Sequence, residues 1–105
     1  MKELKKLLER LEYECIQGTV EQDVTDLVYD SRRATKGSLF VCITGAVSDG
    51  HDYAAEVAEK GASVLVVSKE VSVPPEVTVI RVKDTRYALA LLSAAWFDHP
   101  AEQMK

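Results

Sequence analysis

The chain has 105 residues, 47% hydrophobic and 29% charged, with a formal net charge of -4. That length supports one domain with a core of its own, and the composition is ordinary for a soluble globular protein. The acidic balance argues against a nucleic-acid binder, which needs a basic face to neutralise phosphates.

Leu4, Leu7, Leu8 and Leu11 recur at helical spacing among Lys2, Glu3, Lys5, Lys6, Glu9, Arg10 and Glu12, predicting an amphipathic helix that ends by Glu12. No apolar run is long enough for a signal peptide or a membrane span, so the expectation is a cytoplasmic protein with no membrane partner. Tyr13 to Gln17 reads as a short strand closed by Gly18. Val24, Leu27, Val28 and Tyr29 read as a strand entering a polar turn at Asp30, and Lys36-Gly37-Ser38 as a chain reversal. Leu39 to Ile43 is a continuous apolar run too short for a helix, which predicts a strand covered on both faces.

After a loop from Thr44 to Gly50, Tyr53, Ala54, Val57 and Ala58 predict a helix from Asp52 to Lys60, with Gly61 placed for a left-handed cap. Val64-Leu65-Val66-Val67 is a second buried strand, Pro74-Pro75 keeps the following loop extended, and Val77 to Val82 is a third. Asp84 is placed to cap a last helix whose apolar face includes Tyr87, Ala88, Leu91, Leu92, Ala95 and Trp96, with Pro100 to stop it. Strands alternating with helices imply a three-layer α/β domain with a mixed, largely parallel sheet of about five strands flanked by helices. The short N-terminal strands are candidates for running the other way. Right-handed crossovers gather the strand-to-helix loops at one sheet edge, where ligands bind in such folds.

Cys15 and Cys42 are the only cysteines, and both lie in apolar runs, so each is expected to be a reduced, buried small hydrophobe. His51 and His99 stand far from each other and from either cysteine, so no metal site is expected. Two polar segments flank the Leu39–Ile43 strand. In Asp30-Ser31-Arg32-Arg33, Asp30 and Ser31 can simply shape a turn while the arginines are solvated, or Ser31 and nearby amides can bind a phosphate or sugar oxygen with an arginine supplying charge. Thr44-Gly45-Ala46-Val47-Ser48-Asp49-Gly50 has glycines and small side chains that admit a ligand, but matches neither GxGxxG nor GxxxxGK[ST]. His51, next to Asp52, is expected to cap the helix or stay solvated, and with no nucleophile beside it makes a weak general base.

The ordered set Tyr29-Asp30-Ser31-Arg32, Lys36-Gly37-Ser38-Leu39-Phe40-Val41, Gly45, Asp49-Gly50-His51-Asp52-Tyr53, Ala58 and Gly61-Ala62 resembles the N-terminal domain of the Mur ligases, which extend the peptidoglycan stem peptide. The family pattern is close to D-S-R, P-G-D-L-F-V-A, G, D-G-H-x-F/Y, A, G-A. Lys36-Gly37-Ser38 departs from P-G-D, and Cys42 stands where alanine is frequent. Within the family, the opening segment and the stretch from Val79 to Phe97 look more like the third-residue-adding branch (MurE) than the D-Ala-D-Ala-adding branch (MurF).

The resemblance implies a domain, spanning residues 1–105, that holds the uridine diphosphate end of UDP-N-acetylmuramoyl-L-alanyl-D-glutamate. Tyr29 and Ser31 carry over as substrate-binding residues, and the Ala46, Val47 and Ser48 backbone as contacts to the uracil. Arg32, Asp49 and His51 are secondary candidates. ATP and Mg2+ belong, on the same resemblance, to a central ATPase domain of the parent ligase, and the chain lacks the family's G-T-N-G-K-T/S run. No catalytic residue, metal or cofactor is therefore assigned here, and the isolated chain is expected to be inactive. The rival readings are a free-standing nucleotide-sugar-binding module and an interaction domain docking through Trp96 and Phe97.

Overall fold

The computed structural model describes residues 2–43 and 50–97. The strands are β1 (Lys2–Glu3), β2 (Glu14–Gln17), β3 (Asp23–Val24), β4 (Leu27–Val28), β5 (Leu39–Val41), β6 (Val64–Val67) and β7 (Thr78–Arg81). The helices are α1 (Leu4–Leu7), α2 (Ala54–Glu59) and α3 (Thr85–Trp96), and 3-10 turns cover Ser31–Arg33 and Gly50–Tyr53. A five-stranded sheet has the order β2-β7-β6-β5-β4, parallel throughout except for β2, which runs antiparallel to β7. β1 and β3 form a separate antiparallel pair that the sequence did not suggest.

The period-two alternation of side chains along a strand divides the core in two. Leu39, Val41, Val64, Val66 and Ile80 face Leu4 and Leu7 of α1 and Ala88 and Leu92 of α3. Phe40, Leu65, Val67 and Val79 face Ala54 and Val57 of α2. This is the expected three-layer arrangement, and β6 is buried along its whole length because helices cover both faces. Each of its four side chains contributes roughly 1.5–3 kcal/mol relative to exposure.

Several expectations are corrected. The leucines of the first helix are buried as their spacing requires, but the α-helix stops at Leu7 and the chain tightens into turns, with Leu11 N–H donating to Leu8 O at 3.0 Å. The single strand expected from Val24 to Tyr29 is two short ones in different sheets. Asp26 divides them: its Oδ1 accepts from Leu27 N–H at 2.8 Å, a local bond that turns the backbone between β3 and β4. Cys42 is buried, whereas Cys15 is exposed. β2 lies at a sheet edge, and its Glu14, Cys15 and Ile16 are all exposed: Cys15 and Ile16 stand between Glu14 and Gln17, and no layer covers them.

The backbone junction between α2 and β6 is tied to the chain reversal that precedes β5. Gly61 follows the helix with φ +104°, and its carbonyl accepts from Gly37 N–H at 2.8 Å. A Cβ on Gly61 would lie 2.8 Å from Lys36 Cα. Replacing Gly61 with Ala is therefore expected to cost about 1–3 kcal/mol in urea denaturation. Asn, which tolerates positive φ better, should not rescue stability because the contact with the Lys36 backbone remains; full rescue by Asn would contradict this account.

Candidate functional site

Because β4, β5, β6 and β7 are parallel, their C-terminal ends share one edge of the sheet. At the β4 and β5 end an open groove of about 580 Å³ is lined by Tyr29, Asp30, Ser31, Arg32, Phe40, Ile43, Tyr53 and Glu56. Three of these are aromatic, Phe40 forming part of the buried layer while Tyr29 is 64% exposed. A groove with flat apolar walls and a few polar groups at its rim suits a ligand that has a ring and polar substituents.

The rim is built by local bonds. Asp30 caps the Ser31–Arg33 turn by accepting Arg32 N–H at Oδ1, 3.0 Å away, while its carbonyl accepts Arg33 N–H at 2.9 Å. The Arg32 guanidinium also donates to both Asp30 oxygens, Nε to Oδ1 at 3.1 Å and Nη2 to Oδ2 at 2.9 Å. These side-chain bonds, and then the backbone bond from the same residue, hold the Asp30 carboxyl down to about 2. The Asp30 carboxylate raises the Arg32 guanidinium in turn. With Arg32 86% exposed, the pair shapes the turn more than it stabilises the fold.

Of the residues singled out from the sequence, Tyr29, Ser31 and Arg32 are brought together at the groove. Among the described residues none hydrogen-bonds the Ser31 hydroxyl. Ala46, Val47, Ser48 and Asp49 lie outside the described residues. His51 does not stay solvated: it is buried, and its Nε2 accepts Ser68 N–H at 2.9 Å, tying the Gly50–Tyr53 turn to the end of β6. That bond places the ring proton on Nδ1 and leaves His51 a structural role at the same sheet edge.

Five further lining residues were not nominated from the sequence as binding residues: Asp30, whose sequence reading is that of a turn former, and Phe40, Ile43, Tyr53 and Glu56. Alternation in β5 could have pointed to Phe40, and the Asp49-Gly50-His51-Asp52-Tyr53 pattern to Tyr53; Ile43 and Glu56 carry no signal without knowing how α2 sits. Within the described residues there is no group of His, Cys, Asp and Glu side chains suited to hold a metal ion. No described helix is long and apolar enough to cross a membrane. Among the described residues, the groove offers shape, aromatic surface and polar groups at its rim.

The match to known proteins is extensive. The model of the Mur ligase family, catalytic domain, matches residues 23–97. The UDP-N-acetylmuramoyl-L-alanyl-D-glutamate--2,6-diaminopimelate ligase of Clostridium perfringens is 42% identical over 102 residues, which are 97% of this chain and 21% of that protein. The ligase of the same name from Oceanobacillus iheyensis is 46% identical over 101 residues, 95% of this chain and 20% of that protein. Among solved structures, MurF from Acinetobacter baumannii superposes with a TM-score of 0.77 at 26% identity, covering 90% of this chain and 20% of that one. The chain thus spans about a fifth of the length of the relatives it matches. On its sequence and on its mixed five-stranded α/β fold, the chain belongs to the Mur ligase family.

Proposed function

We propose that this chain binds the uridine diphosphate end of UDP-N-acetylmuramoyl-L-alanyl-D-glutamate as the N-terminal, substrate-holding part of a cytoplasmic ligase that adds 2,6-diaminopimelate. The observation that carries the reading is the aromatic-lined groove at the β4 and β5 end, with the Ser31 hydroxyl at its rim. The identities of 42% and 46% to ligases with that substrate in their names support it over its rival. That rival, a MurF-type domain, is favoured by the likeness to solved MurF structures, at 26% identity for that of Acinetobacter baumannii, and the likeness to ligases of the other branch is greater in sequence.

In this reading Ser31 hydrogen-bonds a polar oxygen of the nucleotide, Tyr29 covers one side of it, and the Ala46, Val47 and Ser48 backbone contacts the uracil. Arg32 and Asp49 are secondary candidates for substrate contacts, Arg32 from the groove lining, while the His51 ring holds the Gly50–Tyr53 turn through Ser68. ATP and Mg2+ do not fit the residues present: the sequence has no GxxxxGK[ST] run, and no acidic cluster of metal-ligand spacing occurs among the described residues. A central ATPase domain of the parent ligase would hold them, and no bond-making step is derived for this chain. Its own residues bind and orient the nucleotide end of the substrate.

Titrating the 105-residue chain with UDP-N-acetylmuramoyl-L-alanyl-D-glutamate should shift NMR signals of Tyr29, Ser31 and Tyr53 more than those of α1. Ser31→Ala should weaken binding about three- to tenfold, the scale of one lost hydrogen bond, with stability unchanged within about 0.5 kcal/mol. Shifts confined to surface lysines, or unchanged affinity in Ser31→Ala, would contradict the reading.

The turn that presents Ser31 carries its own pH dependence. Asp30 is held down to about 2 from an ordinary 3.8. A lowered carboxylate stabilises the turn fully above the ordinary value, and the contribution disappears as pH falls from there through the lowered one. The Asp30 side-chain carboxyl carbon should therefore titrate near the lower value, and in Arg32→Gln move back toward the ordinary one; an unchanged midpoint in that variant would show that the guanidinium bonds are not the cause.

A further inference from the structure

Lys60 stands immediately after α2, 29 positions from Ser31 in sequence, yet its Nζ donates to the Ser31 carbonyl at 2.8 Å. The same ammonium lies 3.4 Å from Glu56 Oε2, one helical turn back, and Glu56 lines the groove. Lys60 N–H donates to Glu56 O at 3.1 Å, and the adjoining Gly61 carbonyl is held by Gly37 N–H at 2.8 Å, so the base of the lysine is fixed on both sides. The Ser31 carbonyl otherwise accepts only a long bond, 3.3 Å, from Ala34 N–H among the described residues. The last bond of the turn is therefore long: the N–H side of this peptide, that of Arg32, is held by Asp30 Oδ1 at 3.0 Å, and the shorter bond to its carbonyl side comes from α2.

We propose that Lys60 is a positioning residue for nucleotide binding: it clamps the Ser31 peptide from α2 and so fixes the direction in which the Ser31 hydroxyl enters the groove. The proposal rests on the reading of Ser31 as a nucleotide ligand. A charge-assisted bond to a carbonyl restrains the peptide plane and with it the backbone that sets the Ser31 Cα–Cβ direction, so less backbone motion is lost when the hydroxyl meets a ligand. Without the clamp the Asp30 bonds still shape the turn, but the Ser31 carbonyl keeps only the long bond from Ala34, and binding must complete the restraint of that peptide. Glu56 keeps the ammonium near the carbonyl, and the site of action is the turn itself, so the lysine needs no contact with the nucleotide.

The test is a double-mutant cycle in the 105-residue chain, with affinity for UDP-N-acetylmuramoyl-L-alanyl-D-glutamate and the carbonyl carbon shift of Ser31 in the free protein as readouts. Lys60→Met keeps the aliphatic stem and removes the donor; it should move the Ser31 carbonyl shift and weaken binding about three- to fivefold. Lys60→Arg, which can still donate, should restore both. In a Ser31→Ala background, Lys60→Met should add less than about twofold, because the hydroxyl it orients is gone. An equal loss in both backgrounds would mean that Lys60 meets the ligand directly, and would overturn the proposal. Unchanged affinity in Lys60→Met while Ser31→Ala weakens binding would overturn it too, leaving the role of Ser31 intact. Unchanged affinity in Ser31→Ala alone would instead remove the reading of Ser31 on which the proposal rests.

Discussion

Register in the parallel strands is the constraint on which everything else in this chain depends. Leu39, Phe40 and Val41 pair with Val64, Leu65 and Val66, and these with Thr78, Val79 and Ile80. Each residue therefore faces the same apolar layer as its partner. A slip of one residue would exchange the layer under α1 and α3 with the layer under α2, turning every core side chain the wrong way. With register fixed, the strands end together, and the segments that follow Val28, Val41 and Val67 are delivered to one edge.

What the chain builds at that edge is divided between rigid and adjustable parts. The floor is core: Phe40 belongs to the buried layer packed on α2. The rim is a capped turn whose shape comes from Asp30 and Arg32, a partly exposed carboxylate and an exposed guanidinium whose mutual bonds add little to global stability but define local geometry. His51 fastens the start of the α2 segment to the end of β6 through Ser68. Gly37 and Gly61 hold the far end of α2 against the reversal that precedes β5. The rim and α2 are thus joined twice, through the Gly37–Gly61 backbone bond and through Lys60.

Much of this was legible in the sequence, for physical reasons that can be named. Runs such as Val64–Val67 admit few alternatives, and Asp84 caps α3 as its position suggested, accepting Arg86 N–H at 2.9 Å. Gly61 has the positive φ expected of a helix cap. Reading failed where tertiary context outweighed local pattern. Cys15 sits in an apolar run that happens to form an edge strand. His51 reads as a polar helix-end residue and is buried because the 3-10 turn brings it to Ser68. At the site, Tyr29, Ser31 and Arg32 were accessible because they are contiguous, whereas Glu56 and Lys60 join them only through the packing of α2. No spacing rule links residues that meet across a crossover.

The central claim is that the nucleotide lies between the Ser31–Arg33 turn and α2, over Phe40. Intermolecular nuclear Overhauser effects from the uracil H5 and H6 protons of bound UDP-N-acetylmuramoyl-L-alanyl-D-glutamate measure that position directly. The account predicts contacts to Tyr29, Phe40, Ile43 and Tyr53. Contacts instead to Leu91, Ala94 and Ala95, beside α1, or to Tyr13 and Arg81 at the β2 edge, would contradict it.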